Sequence, residues 1–484
     1  MGRGEDVTRA LMISDVIKGL GGMLPDSARL KDQSVAGVVI DSRLAGVGSL
    51  FVALKGERDD GHRYVGDAFA KGAVMALIDH AVEVEAPVVD LRVPAEVAEL
   101  SLPCCLLVDN TLAGLQRLAA YWRSQFDVRV VGITGSVGKS TTKEMVWSVL
   151  RRRFRTLRSE GNYNNEIGLP LTLLRLNDTY ERVVLEMGMY ALGEIRQLAE
   201  IARPVIGVVT NVGPTHLERL GSIERIAQAK RELVESLPAD GFAVLNKDDP
   251  LVCAMAEHTP ARVFYYGLDP SADVWASDIE SRGLEGILFR LHYRGETLHL
   301  RVPLLGRHSV HTALAATAVG LIEGESWEEI VAGLQDTSAH IRLVATPGIH
   351  DSTILDDTYN ASPASSLAAL SLLAELDGRR IAVLGDMLEL GDYEEVGHRK
   401  VGLRARDVAA KLITVGRRAR LIAEEALKAG MPAADVYSVD TNQEAVELLR
   451  TIIQPGDIIL VKGSRGMKME EIVAALGRPA WPTR

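Results

Sequence analysis

From about residue 128 the chain alternates short aliphatic, β-branched runs with longer stretches whose apolar positions recur every three or four residues. Val128 to Ile133 (VRVVGI), Val183 to Glu186 (VVLE) and Ile206 to Thr210 (IGVVT) read as buried strands, and their alternation with helical patterns predicts βαβ units on a mostly parallel sheet. The same texture resumes at 381–385 (IAVLG), 412–416 (LITVG) and 458–463 (IILVKG), a second α/β unit. Between the two, from about 263 to 303, FYYG, LFRLHYRG and LHLRVPL predict short antiparallel strands that decorate the first sheet. The first hundred residues form a third block, with SLFVALKG and AVMALID as strands around a Gly/Asp-rich turn at 56–61. No repeat of solenoid period is present. An α/β protein of three domains is expected, divided at 1–107, 108–337 and 338–484.

Composition narrows the function. With 54 Lys+Arg against 65 Asp+Glu the net charge is −11, the wrong sign for a chain that wraps a polyanion, so no nucleic-acid partner is expected. No apolar run reaches the roughly 18 residues of a membrane span, and charges interrupt the apolar N-terminus, so a soluble, cytoplasmic protein is expected. Cys104, Cys105 and Cys253 have neither disulfide nor metal spacing and are expected to be small core residues. The 44 glycines, with only 5% aromatic residues, suit an α/β enzyme with many tight turns.

The densest chemical signal is VVGITGSVGKSTTKEM, a strand running through Gly135, Ser136, Val137, Gly138, Lys139, Ser140 and Thr141 into a helix. Glycines let backbone N–H groups approach phosphates, the helix N-terminus adds positive potential, Lys139 reaches the terminal phosphates, and the Ser140 hydroxyl can ligate Mg²⁺. A full Walker pattern would have glycine where Ile133 stands, so the loop is a shortened variant. Glu186 and His216 follow strands at the carboxyl edge where ligands bind in such sheets, and both are candidate Mg²⁺ ligands; for His216 a backbone-capping turn histidine is an equal alternative. In SIERIAQAKRELVESL, opened by Ser222 as N-cap, the stripe Ile223, Ile226, Lys230, Leu233, Leu237 puts a lysine at a core position. Either its ammonium snorkels to water, or it turns into a site as a base, a phosphate contact or a CO₂ adduct that binds metal.

Three further features are ambiguous. Asn246-Lys247-Asp248-Asp249 imitates a guanine-reading element, but the phosphate loop is shorter than a GTPase's and no DxxG follows soon after it, so a plain turn is the favoured reading over a GTPase. Arg151, Arg152, Arg153, Arg155 and Arg158 end the helix after the loop and read as a solvated face that complements the helix dipole. Asp356 and Asp357 close the strand TILDD, as turn formers or ribose contacts.

The ordered set TGSVGKST (134–141), GNYNNEIGLP (161–170), LEMG (185–188), NVGPTHLERLGSIERIAQAKRELVE (211–235), LDDTYNASPAS (355–365), VLGDMLELG (383–391) and VKGSRGMKME (461–470), with DSR (41–43) and LKGERDDGHRY (54–64), resembles the Mur ligases of peptidoglycan synthesis over nearly the whole chain. The resemblance implies an N-terminal domain for the uridine nucleotide end of the substrate, a central ATPase domain and a C-terminal Rossmann-like domain for the incoming amine. It implies ATP and two Mg²⁺ ions, with the 135–141 loop on the phosphates, Ser140 and Glu186 at one ion, and His216 with a carbamylated Lys230 at the other. Asn164 and Asn165 would contact the phosphate and substrate region, Arg342 and Asp357 the nucleotide, and Ser42 and Arg43 the uridine nucleotide. The substrates implied are UDP-N-acetylmuramoyl-tripeptide and D-alanyl-D-alanine, with a different acceptor peptide as the alternative, and a monomer is expected. The family's GxHNxxN segment, associated with adenine, has Ser309 and Thr312 where Asn is usual, and its Gly-Arg reads Ile341-Arg342.

Overall fold

A computed structural model of the chain describes residues 9–24, 32–56, 59–92, 100–336 and 343–478. It resolves into two compact units, one of Met1–Gly132, Phe154–Met189 and Gly193–Val205, the other of Ile133–Arg153, Tyr190–Leu192 and Ile206–Arg484.

In the first unit, five strands run parallel in the order Gly37–Val39, Ser49–Val52, Met75–Ile78, Cys104–Leu107, Val88–Asp90. Ser49–Val52 and Met75–Ile78 are buried at every position, as continuous apolar runs require when both faces are covered. Helix Thr111–Ser124 is capped by Asn110, whose side chain accepts from the Ala113 N–H at 2.8 Å. At its end Arg123, though 7% exposed, donates to the carbonyls of Ala202, Phe126 and Val128, so its charge is buried with hydrogen-bond partners. Cys104 and Cys105 are core residues as expected, whereas Cys253, in the other unit, is only partly buried, its thiol turned to the Lys247 carbonyl.

In the second unit, neighbouring strands follow the order Ile206–Val209, Phe242–Asn246, Arg262–Gly267, Val274–Ser281, Ile287–Tyr293, Glu296–Val302. The last two pair antiparallel, as the sequence predicts, and Val274–Ser281, a strand the sequence reading did not mark, pairs antiparallel with the first of them. Arg262–Gly267 instead runs parallel to Phe242–Asn246, because the chain returns through the helical segments Pro250–Cys253 and Ala254–His258 and a crossover of that kind brings a strand back in the same direction. Helix Lys139–Leu150 packs against helices Val310–Ile322 and Trp327–Leu334. Gly333 permits the closest approach, since a Cβ there would lie 2.5 Å from Val149 Cα. The Arg151–Arg153 face is less solvated than expected: Arg151 and Arg152 both bind Asp336, and Arg153 donates to the Gly324 carbonyl at 2.6 Å.

The same unit carries a six-stranded sheet, ordered Val344–Pro347, Thr353–Asp357, Ile458–Lys462, Arg380–Gly385, Lys411–Val415, Val436–Val439, parallel except for its first strand. Its two faces bury separate apolar clusters, one against helices Pro363–Glu375 and Glu394–Val408, the other against Asn442–Ile452 and Glu470–Leu476. No helix among the described residues is long and apolar enough to cross a membrane.

Candidate active site

The phosphate loop leaves strand Arg129–Thr134 and enters helix Lys139–Leu150 through Gly138, whose φ of +85° is the left-handed conformation a loop needs to aim its N–H groups inward. The segment after strand Ile206–Val209 braces it. Val137 O accepts from the Thr210 hydroxyl at 2.7 Å and the Asn211 amide at 2.9 Å, and Asn211 Oδ1 takes the Val137 N–H at 2.9 Å. Ser136 Oγ donates to Gly213 O at 3.0 Å and accepts from Gly213 N at 2.8 Å and the Thr215 hydroxyl at 3.2 Å. Lys139 Nζ donates to Gly135 O at 2.8 Å. The contact is closest at Gly135, where a Cβ would fall 1.8 Å from Thr210 Oγ1.

The braced segment runs on to His216 and then to helix Ile223–Glu235, capped by the Ser222 side chain on the Arg225 N–H as its sequence predicts. Lys230 is 2% exposed on that helix, which rules out snorkelling. Burial and the nearby Lys139 cation push its pKa well below the usual lysine range, and among the described residues no carboxylate pairs with it. His216 is not a backbone cap: its side chain makes no cap hydrogen bond, and its Nδ1 donates to Glu389 Oε2 at 2.6 Å.

One cleft is lined by the loop residues 136–141, His216, His308, Ser309, Thr312, Asp357, Glu389 and Lys462. Asp357, at the end of strand Thr353–Asp357, is held at 2.7 Å by Lys462 Nζ, which also donates to the Asn360 carbonyl at 2.8 Å. Asp356 is a turn former, accepting from the N–H and hydroxyl of Thr358. Burial lowers the pKa of His308 and so favours its neutral form. Ser309 spends its hydroxyl on the Leu305 carbonyl at 2.7 Å.

The first unit holds the remaining candidates. Glu186, 1% exposed at the end of strand Arg182–Glu186, accepts from Asn164 Nδ2 at 2.8 Å, while its backbone N–H donates to Ser159 Oγ at 3.2 Å. Asn165 uses its Oδ1 on the Gly168 N–H at 2.9 Å, at the start of helix Gly168–Leu173. Ser42 and Arg43 lie in the short turn Ser42–Leu44; Ser42 O accepts from Lys71 Nζ at 3.0 Å, and Arg43 grips Asp41, whose carboxyl falls to about 2 mainly through that hydrogen bonding. Arg342 lies outside the described residues.

The Mur ligase middle domain matches residues 133–320, the Mur ligase glutamate ligase domain 341–465, and the catalytic domain of the Mur ligase family 34–122. A UDP-N-acetylmuramoyl-tripeptide–D-alanyl-D-alanine ligase of Bacillus subtilis is 37% identical over 474 residues, covering 96% of this chain and 99% of its own. The chain belongs to the Mur ligase family. The Escherichia coli ligase of the same name is 35% identical over 472 residues, with 96% and 99% covered. Among solved structures, a MurF of Acinetobacter baumannii superposes with a TM-score of 0.83 at 30% identity, covering 96% of this chain and 98% of its own. A Thermotoga maritima MurF ligase in complex with ADP gives 0.74 at 27% identity, with 91% and 97% covered.

As a Mur ligase the chain binds ATP, and the guanine-reading alternative fails on geometry as well. Asn246 donates to the Thr210 carbonyl at 2.8 Å, Asp248 accepts from the N–H groups of Leu268 and Asp269 and pairs with His311, and Asp249 caps helix Pro250–Cys253. All three side chains serve turns in this Mur ligase. In the first unit Asp60, His62 and His80 cluster as a metal site would, but Asp60 accepts from His62 Nδ1 at 2.7 Å and the Asp79 N–H donates to His62 Nε2 at 3.0 Å, so neither nitrogen of the His62 ring is left for an ion.

Sequence reasoning missed Thr210, Asn211, Lys462 and Glu389. For the first two a signal existed, since polar residues directly after a buried strand at the ligand edge have a loop to hold. Gly135→Ala in this Mur ligase is expected to weaken ADP binding at least about tenfold, because the Cβ has no room beside Thr210 and φ is already +150°. Titration of the folded variant with ADP checks it.

Proposed function

We propose that this chain is the ligase that joins D-alanyl-D-alanine to UDP-N-acetylmuramoyl-tripeptide in peptidoglycan precursor synthesis, with hydrolysis of ATP to ADP. What carries the reading is the near end-to-end likeness to ligases of that name, 37% identity over 474 residues, in a chain that keeps Lys139, Glu186, His216 and Lys230 together. A catalytically silent relative would have no use for a buried, acid-free lysine.

A carboxylate does not react with an amine at neutral pH, because oxide would have to leave. Transfer of the γ-phosphoryl group of ATP to the terminal carboxylate of the tripeptide makes an acyl phosphate. The amino group of D-alanyl-D-alanine attacks its carbonyl carbon, loses a proton, and the tetrahedral adduct collapses with departure of inorganic phosphate. We assign Gly135 to Thr141 to the ATP phosphates, with Lys139 countering charge on the transferring group. Asn164 orients Glu186, and Asn165 shapes the adjoining turn toward the phosphate and substrate region. Asp357, aligned by Lys462, faces the nucleotide from the same cleft as the loop. Arg342 is assigned to the nucleotide, and Ser42 and Arg43 to the uridine nucleotide, on the family resemblance.

On the family resemblance we assign Ser140 and Glu186 to one Mg²⁺ ion, and His216 and carbamylated Lys230 to a second. A hydroxyl, a carboxylate, an imidazole and a carbamate supply the oxygen and nitrogen donors hard cations take, and the depressed pKa of Lys230 favours the neutral amine that reacts with CO₂. When bound, the ions would neutralise phosphate charge. We place the domain divisions at 1–107, 108–337 and 338–484, the first for the uridine nucleotide end, the last for the dipeptide. The enzyme works in the cytoplasm as a monomer.

The test is phosphate release by the purified protein with ATP, Mg²⁺, UDP-N-acetylmuramoyl-tripeptide and D-alanyl-D-alanine, each omitted in turn. Release is expected to need all four. Undiminished release without the dipeptide would overturn the assignment, and restoration by another amino acid or peptide in its place would point to the alternative substrate.

A further inference from the structure

The pair between His216 and Glu389 joins segments far apart in sequence, and both partners have unusual backbones. His216 has φ +57° and Glu389 φ +64°, left-handed conformations that are unfavourable for a non-glycine residue. Neither side chain is deeply buried, at 21% and 41% exposed, so an ion pair here is a weak source of stability. What the arrangement does secure is the ring. A carboxylate can only accept, so in the neutral imidazole Nδ1 carries the proton and the lone pair lies on Nε2. Tyr190 meets the imidazole edge-on at 5.0 Å, with Arg219 over the tyrosine at 4.8 Å, limiting rotation of the ring.

The carboxylate is itself held in place. Beside it, the Leu388 N–H donates to Ser464 Oγ at 2.9 Å and the Met387 N–H to His398 Nε2 at 3.0 Å, fixing the 386–391 loop to the six-stranded sheet's own layer. On its other side Gly391, at φ +53°, sits so close to residues 216–220 that a Cβ would lie 2.9 Å from Glu218 Cα.

We propose that Glu389 is a positioning residue for the cation site: from the 386–391 loop it fixes His216 as the tautomer with a bare Nε2, so the ligand is prepared only while that loop is seated against residues 216–220. The proposal rests on the reading of His216 as a cation ligand. It makes metal affinity depend on a residue that is not itself a cation ligand, and it couples the seating of the 386–391 loop to the cation site.

The experiment measures Mn²⁺ binding by electron paramagnetic resonance to the full-length protein with a non-hydrolysable ATP analogue, for the parent, Glu389→Ala, Glu389→Gln, His216→Ala and the double variant His216→Ala/Glu389→Ala. Loss of an outer hydrogen-bond partner typically weakens metal binding about 10- to 100-fold, and Glu389→Ala should fall in that range. Glu389→Gln keeps the length and an acceptor oxygen, so it should lose less and serves if the alanine variant misfolds. In the His216→Ala background the Glu389 change should add nothing, which a merely structural role would not produce. Mn²⁺ affinity of Glu389→Ala within about twofold of the parent, or an equal further loss in the double variant, overturns the positioning role alone. Unchanged Mn²⁺ binding in His216→Ala overturns the ligand reading and this inference with it.

Discussion

Lys230→Ala is expected to lose turnover by at least about 100- to 1,000-fold, the scale of removing one preorganised charge contact, while ADP affinity stays within about twofold. The argument starts from burial: at 2% exposure, with no carboxylate pairing to it among the described residues and Lys139 nearby, an ammonium at this position suffers desolvation and like-charge repulsion together. Addition of CO₂ to the neutral amine, with loss of one proton from nitrogen, would replace that repulsion with attraction between a carbamate anion and Lys139, and would supply a metal-binding oxygen. The pH sign follows. Because the folded pKa is lowered, the neutral, reactive amine is populated at a pH where an ordinary lysine is still charged, so modification needs no alkaline medium. Lys230→Arg, which keeps the positive charge and cannot add CO₂, should be as inactive as the alanine variant. Phosphate release, ADP titration and a ¹³C-bicarbonate carbamate resonance check the three parts. Normal turnover in Lys230→Ala would refute the assignment.

Lys139→Ala is expected to lower kcat by about 10³-fold, and unlike Lys230→Ala to weaken nucleotide binding too. Phosphoryl transfer offers the protein little to do beyond positioning and charge neutralisation, so the lysine at the helix start bears on both binding and the transition state. The same two assays separate the variants. If both leave ADP affinity untouched, Lys139 is not the phosphate lysine.

Much of this was legible in the sequence, for identifiable reasons. Strands buried on both faces are written as continuous aliphatic runs, so Arg182–Glu186, Arg380–Gly385 and Ile458–Lys462 stand out. Lys230 was visible because helical periodicity exposes any polar residue in an apolar stripe. The direction of Arg262–Gly267 was not, since its composition suits either pairing and the connecting segment decides. Glu389 was invisible for a different reason: its partner is 173 residues away, and an acid in LELG looks like any surface acid until the fold brings His216 to it. The loop's brace was equally hidden, being side-chain to backbone bonding between segments more than 70 residues apart. Asn165 shows the opposite limit, because a motif fixes a residue's position without saying how much of its side chain is spent on a local turn.

The grip of Arg151 and Arg152 on Asp336 has a mechanical corollary. These arginines sit just past the far end of helix Lys139–Leu150 from the phosphates, and Asp336 comes shortly before the match to the glutamate ligase domain begins at 341. The chain, just before that match begins, is thereby tied to the rod whose opposite tip carries Lys139.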